Sequence, residues 1–333
     1  MQIKPEEAKR NAAFKRNLDL EGLLSHLNRN LNCAENKLIS DLESDDEDYP
    51  LIFVMGPLRS GTTLFTQWLA ATGIVAYPTN LLSRFYGAPL VGAQVQLMLT
   101  DPRYNFRDEI IDFNSKIDFS SENGKTQGAL APNEFWYFWR RFLPFGEVDW
   151  LPDEELHRVV DKEGLVAELT GLTKVFRKPF ALKSMILNYN IPFLNDIFSK
   201  AIFVQIKRDP VANLLSILEA RKRQFGDESH WYSFKIPEYE SLKDLDSIHQ
   251  SAGQLTYINR AVEIGMQKVD ESRKLEVNYE SFCDNPFIIF EQLQEKLTSV
   301  KSREYSGVKK FNISRQVTQN TLELQRALQA FQE

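Results

Sequence analysis

Apolar and polar positions along this chain alternate at the scale of whole structural elements. "LIFVM" (51–55) is a short unbroken apolar run, the pattern of a strand buried on both faces. The residues after it predict a helix with Leu64, Phe65, Trp68 and Leu69 on one face, and Gly73 suits its C-terminal cap. "FALKSM" (180–185) predicts a second strand, followed by a helix around Ile191–Phe198. "AIFVQIK" (201–207) predicts a third, followed by a helix running through Arg223. "KLEVNYE" (274–280) predicts a fourth, leading into the helical "DNPFIIFEQLQEKL". Strands alternating with helices imply βαβ units, hence an α/β fold with a central parallel sheet flanked by helices. Ligands in such sheets bind beyond the carboxyl ends of the strands, where the polar motifs of this chain fall.

Three stretches break the alternation. Residues 1–48 form a polar, partly helical N-terminal arm, with Leu20, Leu23, Leu24 and Leu27 at helical spacing, that ends in the acidic "SDDEDYP". The rest, 49–333, reads as one domain. Within it, 81–178 is a mostly helical, aromatic-rich insertion centred on "NEFWYFWRRF" (133–142) and expected to cover the acceptor site. Phe135, Trp136, Tyr137, Phe138 and Trp139 would cover every face of a helix, so most of them must be core. From about 316, Leu324, Leu328 and Phe331 recur at helical spacing and predict a helix docked on the domain.

Composition narrows the class of partner. The chain has 333 residues, 43% hydrophobic and 26% charged, with a formal net charge of −6. That mild acidity argues against a general nucleic-acid binder, so any polyanion site must be local. Cys33 and Cys283 are the only cysteines, too few for a disulfide framework or a multi-cysteine zinc site. The start is too charged for a signal peptide, and no apolar run approaches the roughly 18 residues that cross a bilayer. The expected location is the cytoplasm, with no transmembrane segment.

Candidate chemistry begins at "GPLRSGTTL" (56–64). Gly56 and Gly61 permit close backbone approach, and the amides of residues about 59 to 63 open a helix and attract an anion. Thr62 and Thr63 add hydroxyl donors, and Arg59 adds a charge that can fork onto phosphate oxygens. The loop has the outline of a Walker A motif, yet Thr62 stands where lysine would serve the β- and γ-phosphates. A donor without a γ-phosphate is implied. A second helix start follows the third strand. Asp209 is placed as its N-cap and Pro210 as its first residue, with Arg208 just before it and Ser216 two turns in. Two anion-ready helix starts on one sheet imply a ligand with two separated phosphate groups.

These motifs resemble those of sulfotransferases that use 3′-phosphoadenylyl sulfate (PAPS), of the bacterial and tyrosylprotein type. "GPLRSGTTL" resembles the family's 5′-phosphosulfate loop, and "KRDPVANLLS" its 3′-phosphate motif, an arginine and a serine eight residues apart. "ALKSM" is similar to its lysine-bearing strand end, and "VNYESFCDNP" to its tyrosine-bearing strand and turn. Together they cover roughly residues 50 to 295. The resemblance implies a P-loop-type three-layer fold. It also implies PAPS as co-substrate, adenosine 3′,5′-bisphosphate (PAP) as product, and no metal in the transfer step. On it, Arg59, Ser60, Gly61, Thr62 and Thr63 hold the 5′ end, Arg208 and Ser216 hold the 3′-phosphate, and Tyr279 lies near the nucleotide. Arg59 and Lys183 are the cations that would neutralise charge on the leaving oxygen.

An acceptor hydroxyl requires a general base. The tyrosylprotein enzymes carry a glutamate soon after the first helix, whereas "IVAYPTN" has no acid. Glu134 resembles the acid that many bacterial relatives carry later, and a helix-start carboxylate is the other reading of it. Lys309 and Lys310 are candidates to close over the 3′-phosphate, or solvated lysines. His26, His157, His230 and His249 lie in no motif. The expected reaction is sulfuryl transfer to a hydroxyl, secondarily an amine, of a small-molecule, saccharide or lipid acceptor, with peptide tyrosine also open. Two alternatives stay open: a P-loop kinase or NTPase, and a PAPS-binding protein without transfer chemistry.

Overall fold

The computed structural model describes residues 10–11, 15–42, 49–105, 110, 119, 121, 125–297, 303–313 and 321–332. The acidic stretch at 43–48, much of 106–124 within the expected insertion, and 314–320 lie outside the described residues. Four parallel strands make the sheet: β1 (Leu51–Met55), β2 (Phe180–Lys183), β3 (Ile202–Lys207) and β4 (Lys274–Asn278), in the order β2-β1-β3-β4. The chain moves outward from β1 to β2, then crosses to the other side for β3. This reversal puts the topological switch point between β1 and β3, where open α/β sheets bind ligands.

Strand β1 shows why the sheet is central. Its five residues are all buried, and the period-2 pleat sends alternate side chains to opposite layers. Leu51, Phe53 and Met55 join one apolar core, while Ile52 and Val54 join the other. Fully burying a side chain of this size contributes about 1.5–3 kcal/mol relative to exposure, so a continuous apolar run at this position is strongly favoured. The second layer is closed by α2 (Thr62–Ala71), through Phe65, Trp68 and Leu69. Two later helices, α11 (Tyr279–Asp284) and α12 (Pro286–Lys296), complete it with Phe282 and Phe290. Edge strand β4 instead alternates, with Leu275 and Val277 buried and Glu276 exposed.

The first layer is larger. Helices α4 (Trp136–Phe142), α5 (Asp153–Val159), α6 (Lys162–Phe176) and α7 (Ile191–Ile197) supply part of it. Helices α8 (Pro210–Phe225), α9 (Tyr239–Leu242) and α10 (Ser247–Met266) supply the rest, and α13 (Thr321–Gln329) docks against it through Leu324 and Leu328. Helix α4 begins later than the sequence pattern implies. Asn133 Oδ1 accepts from the Phe135 amide at 2.8 Å, and Phe135 turns left-handed at φ 57. Phe135, Phe138 and Trp139 are therefore core, while Tyr137 keeps 37% of its surface.

Helix α1 (Leu18–Asp41) is tied to the insertion by buried polar groups. Asn28 Oδ1 accepts from Gly87 N at 2.7 Å, and its Nδ2 donates to Arg84 O at 2.8 Å. Glu35 accepts from the Leu90 and Val91 amides at 2.8 and 3.0 Å. Those amides open α3 (Pro89–Thr100) and have no acceptor within the helix, so a carboxylate suits them in both charge and geometry. Among the described residues no helix is long and apolar enough to cross a membrane.

Candidate active site

The loop between β1 and α2 is shaped by backbone the sequence pattern only hints at. Gly56 has φ 146, and a Cβ there would stand 2.8 Å from the Ile206 carbonyl. Asn188 clamps it from the far side: Gly56 N donates to Asn188 Oδ1 at 3.1 Å, and Asn188 Nδ2 donates to Gly56 O at 2.8 Å. Buried Asn213 donates to Leu58 O at 2.6 Å. Arg59 has a positive φ of 61, a left-handed conformation that costs a non-glycine residue roughly 1–2 kcal/mol. Surrounding contacts must hold it there. Arg208 does so in part, donating from Nη1 to the Arg59 carbonyl at 2.7 Å.

Gly61 caps α2 at φ 100, and the first-turn amides of that helix face outward without intrahelical acceptors. Around them sit hydroxyls. Ser60 is fully buried, and its Oγ has no hydrogen-bond partner among the described residues. Thr62 Oγ1 donates to Met185 Sδ at 3.4 Å, and Thr63 Oγ1 accepts from Lys183 Nζ at 2.6 Å.

Lys183 ends β2, the strand beside β1, and is 6% exposed. Its ammonium meets Glu134 Oε1 at 2.9 Å, and Trp136 Nε1 donates to the other carboxylate oxygen. Trp139 Nε1 donates to the Lys183 carbonyl at 3.0 Å. The aromatic insertion thus anchors both the lysine backbone and the glutamate. Glu134, Trp136, Trp139, Lys183, Met185 and Ile186 line one narrow cleft. Sequence reasoning selected Lys183 and Glu134 separately; the fold makes them an ion pair beside the loop.

The β3 end brings the other predicted residues. Asp209 Oδ1 caps α8 by accepting from Ala212 N at 2.8 Å, with Pro210 first in the helix. Arg208 stacks its guanidinium 4.9 Å from the Tyr279 ring centre, and its buried Nε has no partner among the described residues. Tyr279 lies directly on the loop, since a Cβ on Gly61 would fall 2.2 Å from its ring. Burial pushes the Tyr279 hydroxyl up to about 12, so it stays a neutral donor. Ser216 and Arg59 touch, the Arg59 Nε donating to Ser216 Oγ at 3.3 Å. All ten predicted site residues therefore converge at the β1/β3 switch point and the adjoining β2 end.

Several contributors escaped the sequence reading. Besides Asn188 and Asn213, Tyr232 places its buried hydroxyl against the Arg59 guanidinium. Burial raises the Tyr232 hydroxyl above its usual range, with Arg59 opposing that shift. Its turn is pinned by fully buried Gln254, whose Nε2 donates to Tyr232 O at 3.1 Å and Phe234 O at 3.2 Å. Lys310, the two arginines of α4 and the four histidines are engaged elsewhere. Lys310 pairs with Asp284 at 2.5 Å, Arg140 lies 4.0 Å from Asp149, and Arg141 pairs with Glu168. His157, His230 and His249 each face an aspartate, and His26 faces Asn30.

The model of the sulfotransferase family matches residues 50–299, a span that contains every residue of this site. The chain belongs to that family. Among curated proteins no relative matches. Solved sulfotransferases share the fold. Sulfotransferase STF9 from Mycobacterium avium superposes with a TM-score of 0.50 at 17% identity, over 84% of this chain and 70% of its own. Sulfotransferase STF1 from Mycobacterium tuberculosis H37Rv gives a TM-score of 0.50 at 12% identity, over 91% of this chain and 75% of its own. At such identities the likeness concerns architecture: a central parallel sheet between helical layers. Family membership makes this sulfotransferase a catalyst of sulfuryl transfer.

Proposed function

We propose that this sulfotransferase moves a sulfuryl group from PAPS to an acceptor hydroxyl, secondarily an amine, and releases PAP. The acceptor is a small molecule, saccharide or lipid. The observation that carries this reading is the meeting of two anion-ready clusters at one switch point, the loop 56–63 and the Arg208 end of β3. The residues fit such a nucleotide. Ser60 Oγ and Arg208 Nε are buried polar atoms without a protein partner among the described residues, and both can donate to phosphate oxygens. Thr62 in the Walker lysine position favours a donor lacking a γ-phosphate. The 5′ end would be held by Arg59, Ser60, Gly61, Thr62 and Thr63, the 3′-phosphate by Arg208 and Ser216, with Tyr279 packed beside the loop.

When bound, PAPS supplies the sulfuryl group: the acceptor oxygen bonds to sulfur as the bond from sulfur to the 5′-phosphate oxygen breaks, its electron pair leaving on that oxygen. Positioning and charge stabilisation dominate such a loose transfer, by analogy with phosphoryl transfer. Lys183 and Arg59 supply the charge in this chain. The Lys183 ammonium has three N–H bonds, and Thr63 and Glu134 occupy two. The third has no partner among the described residues and can meet the departing oxygen without breaking the ion pair. Glu134 takes the acceptor proton, held in place by Lys183 and Trp136.

Titration calorimetry with PAP tests the proposal, with binding in the micromolar range expected. Release of PAP from labelled PAPS with a panel of hydroxyl acceptors then tests transfer. Failure of PAP and PAPS to bind at micromolar concentrations ends the proposal.

A further inference from the structure

We infer that the two ends of the nucleotide cleft are mechanically coupled through Arg59 and Ser216, so that grip on the 3′-phosphate orients the cation at the transfer end. The inference rests on the PAPS reading above and adds a relation between residues that the reading treats as independent.

Three contacts join the ends. Arg59 Nε donates to Ser216 Oγ at 3.3 Å, and Arg208 Nη1 donates to the Arg59 carbonyl at 2.7 Å. Arg208 also stacks on Tyr279, which presses on Gly61 at the other end of the same loop. The Arg59 backbone is left-handed at φ 61, a conformation that persists only where its surroundings over-determine it. Its carbonyl is fixed by one of the 3′-end residues and its side chain is oriented by the other.

The chemistry of Ser216 makes the link directional. Its hydroxyl oxygen accepts from Arg59, which leaves its proton available to a phosphate oxygen. Donating to a phosphate polarises the hydroxyl and makes it a better acceptor for Arg59 Nε–H. Arg208 keeps a buried Nε without a protein partner among the described residues, while another of its nitrogens holds the Arg59 carbonyl. A phosphate that fixes Arg208 therefore also fixes the loop. Energy from a remote, non-reacting group of the donor would thereby act at the reacting centre.

Coupling is reciprocal, so a change at the transfer end must alter selectivity at the other. Calorimetric affinities of the full chain for PAP and for adenosine 5′-monophosphate read that selectivity, because the two nucleotides differ only in the 3′-phosphate. Arg59→Asn removes the guanidinium while tolerating the left-handed backbone. Its expected effect is a fall of about 5-fold or more in the preference for PAP over the monophosphate, the lower range of allosteric coupling. Arg59→Lys serves as a second variant should Arg59→Asn fail to fold, with thermal melting as the check. In a Ser216→Ala background the same Arg59 change should leave the preference unaltered, and Ser216→Thr should restore the effect.

An Arg59 variant that weakens both nucleotides equally means independent ends and overturns the coupling alone. An Arg59 effect that persists in Ser216→Ala reduces it to charge at a distance and overturns the relay. Absence of PAP binding by the unmutated chain defeats the PAPS reading, and the inference with it.

Discussion

The ring of Tyr279 occupies the space that a side chain on Gly61 would need, a Cβ there falling 2.2 Å from Tyr279 Cδ2. The contact joins the end of β4 to the cap of α2 and makes the glycine a steric requirement as well as a conformational one. Gly61 also stands at φ 100, where any L side chain is strained. Overpacking costs about 1–3 kcal/mol, and a left-handed backbone roughly 1–2 kcal/mol more. Gly61→Ala should therefore lose about 2–5 kcal/mol in urea unfolding, together with most PAP affinity. A variant as stable and as tight-binding as the unmutated chain would contradict this packing.

Removal of the buried cation should separate transfer from binding. Lys183→Met keeps the length and apolar character of the stem but deletes the ammonium shared by Thr63 and Glu134. Loss of one preorganised charge at a transfer centre lowers turnover by about 10²–10³-fold. Single-turnover release of PAP from PAPS should fall by that order, while PAP affinity falls less than about 10-fold. Turnover and affinity falling in step would instead make Lys183 a ground-state binding residue.

A pH dependence of stability arises within the insertion. Burial pushes the Glu168 carboxyl from 4.5 up to about 7, even though Arg141 pairs with it. Between those values the folded protein keeps a proton that the unfolded chain releases. The stability attached to this group is thus complete below about pH 4.5 and declines as pH rises toward about 7, by at most on the order of 3 kcal/mol. Urea unfolding from about pH 5 to about pH 7 should show Glu168→Gln with a flatter pH slope than the unmutated chain. Identical slopes would assign the pH response elsewhere.

The parts of this architecture that were legible in the sequence are those written in periodicity or in turn chemistry. Apolar runs marked the strands, and Gly56, Gly61, Asp209 and Pro210 marked the helix starts, because a buried strand and a capped helix each demand particular residue types nearby. Helix spacing could not reveal that Ser216 turns toward Arg59, since that depends on how α8 sits against the sheet. Asn188 and Asn213 were hidden for a similar reason. Each is a single polar residue whose partner lies 132 or 155 positions away, at Gly56 and Leu58. Tyr232 stands in a loop without regular pattern, and only the buried Gln254 beneath it reveals that the loop is fixed. Phe135, counted with the helical aromatics, instead precedes α4 because a side-chain turn at Asn133 competes with helix formation there.

The carboxylate of Glu35, seated on the opening amides of α3, bears on how this protein can be handled. It lies upstream of the matched family span, in a helix of the polar N-terminal arm. Trimming the gene to that span for expression would discard it, expose the apolar surface under α1, and strand two amides inside the protein. Insolubility of such a shortened product would then report a missing keystone, and would say nothing against the catalyst.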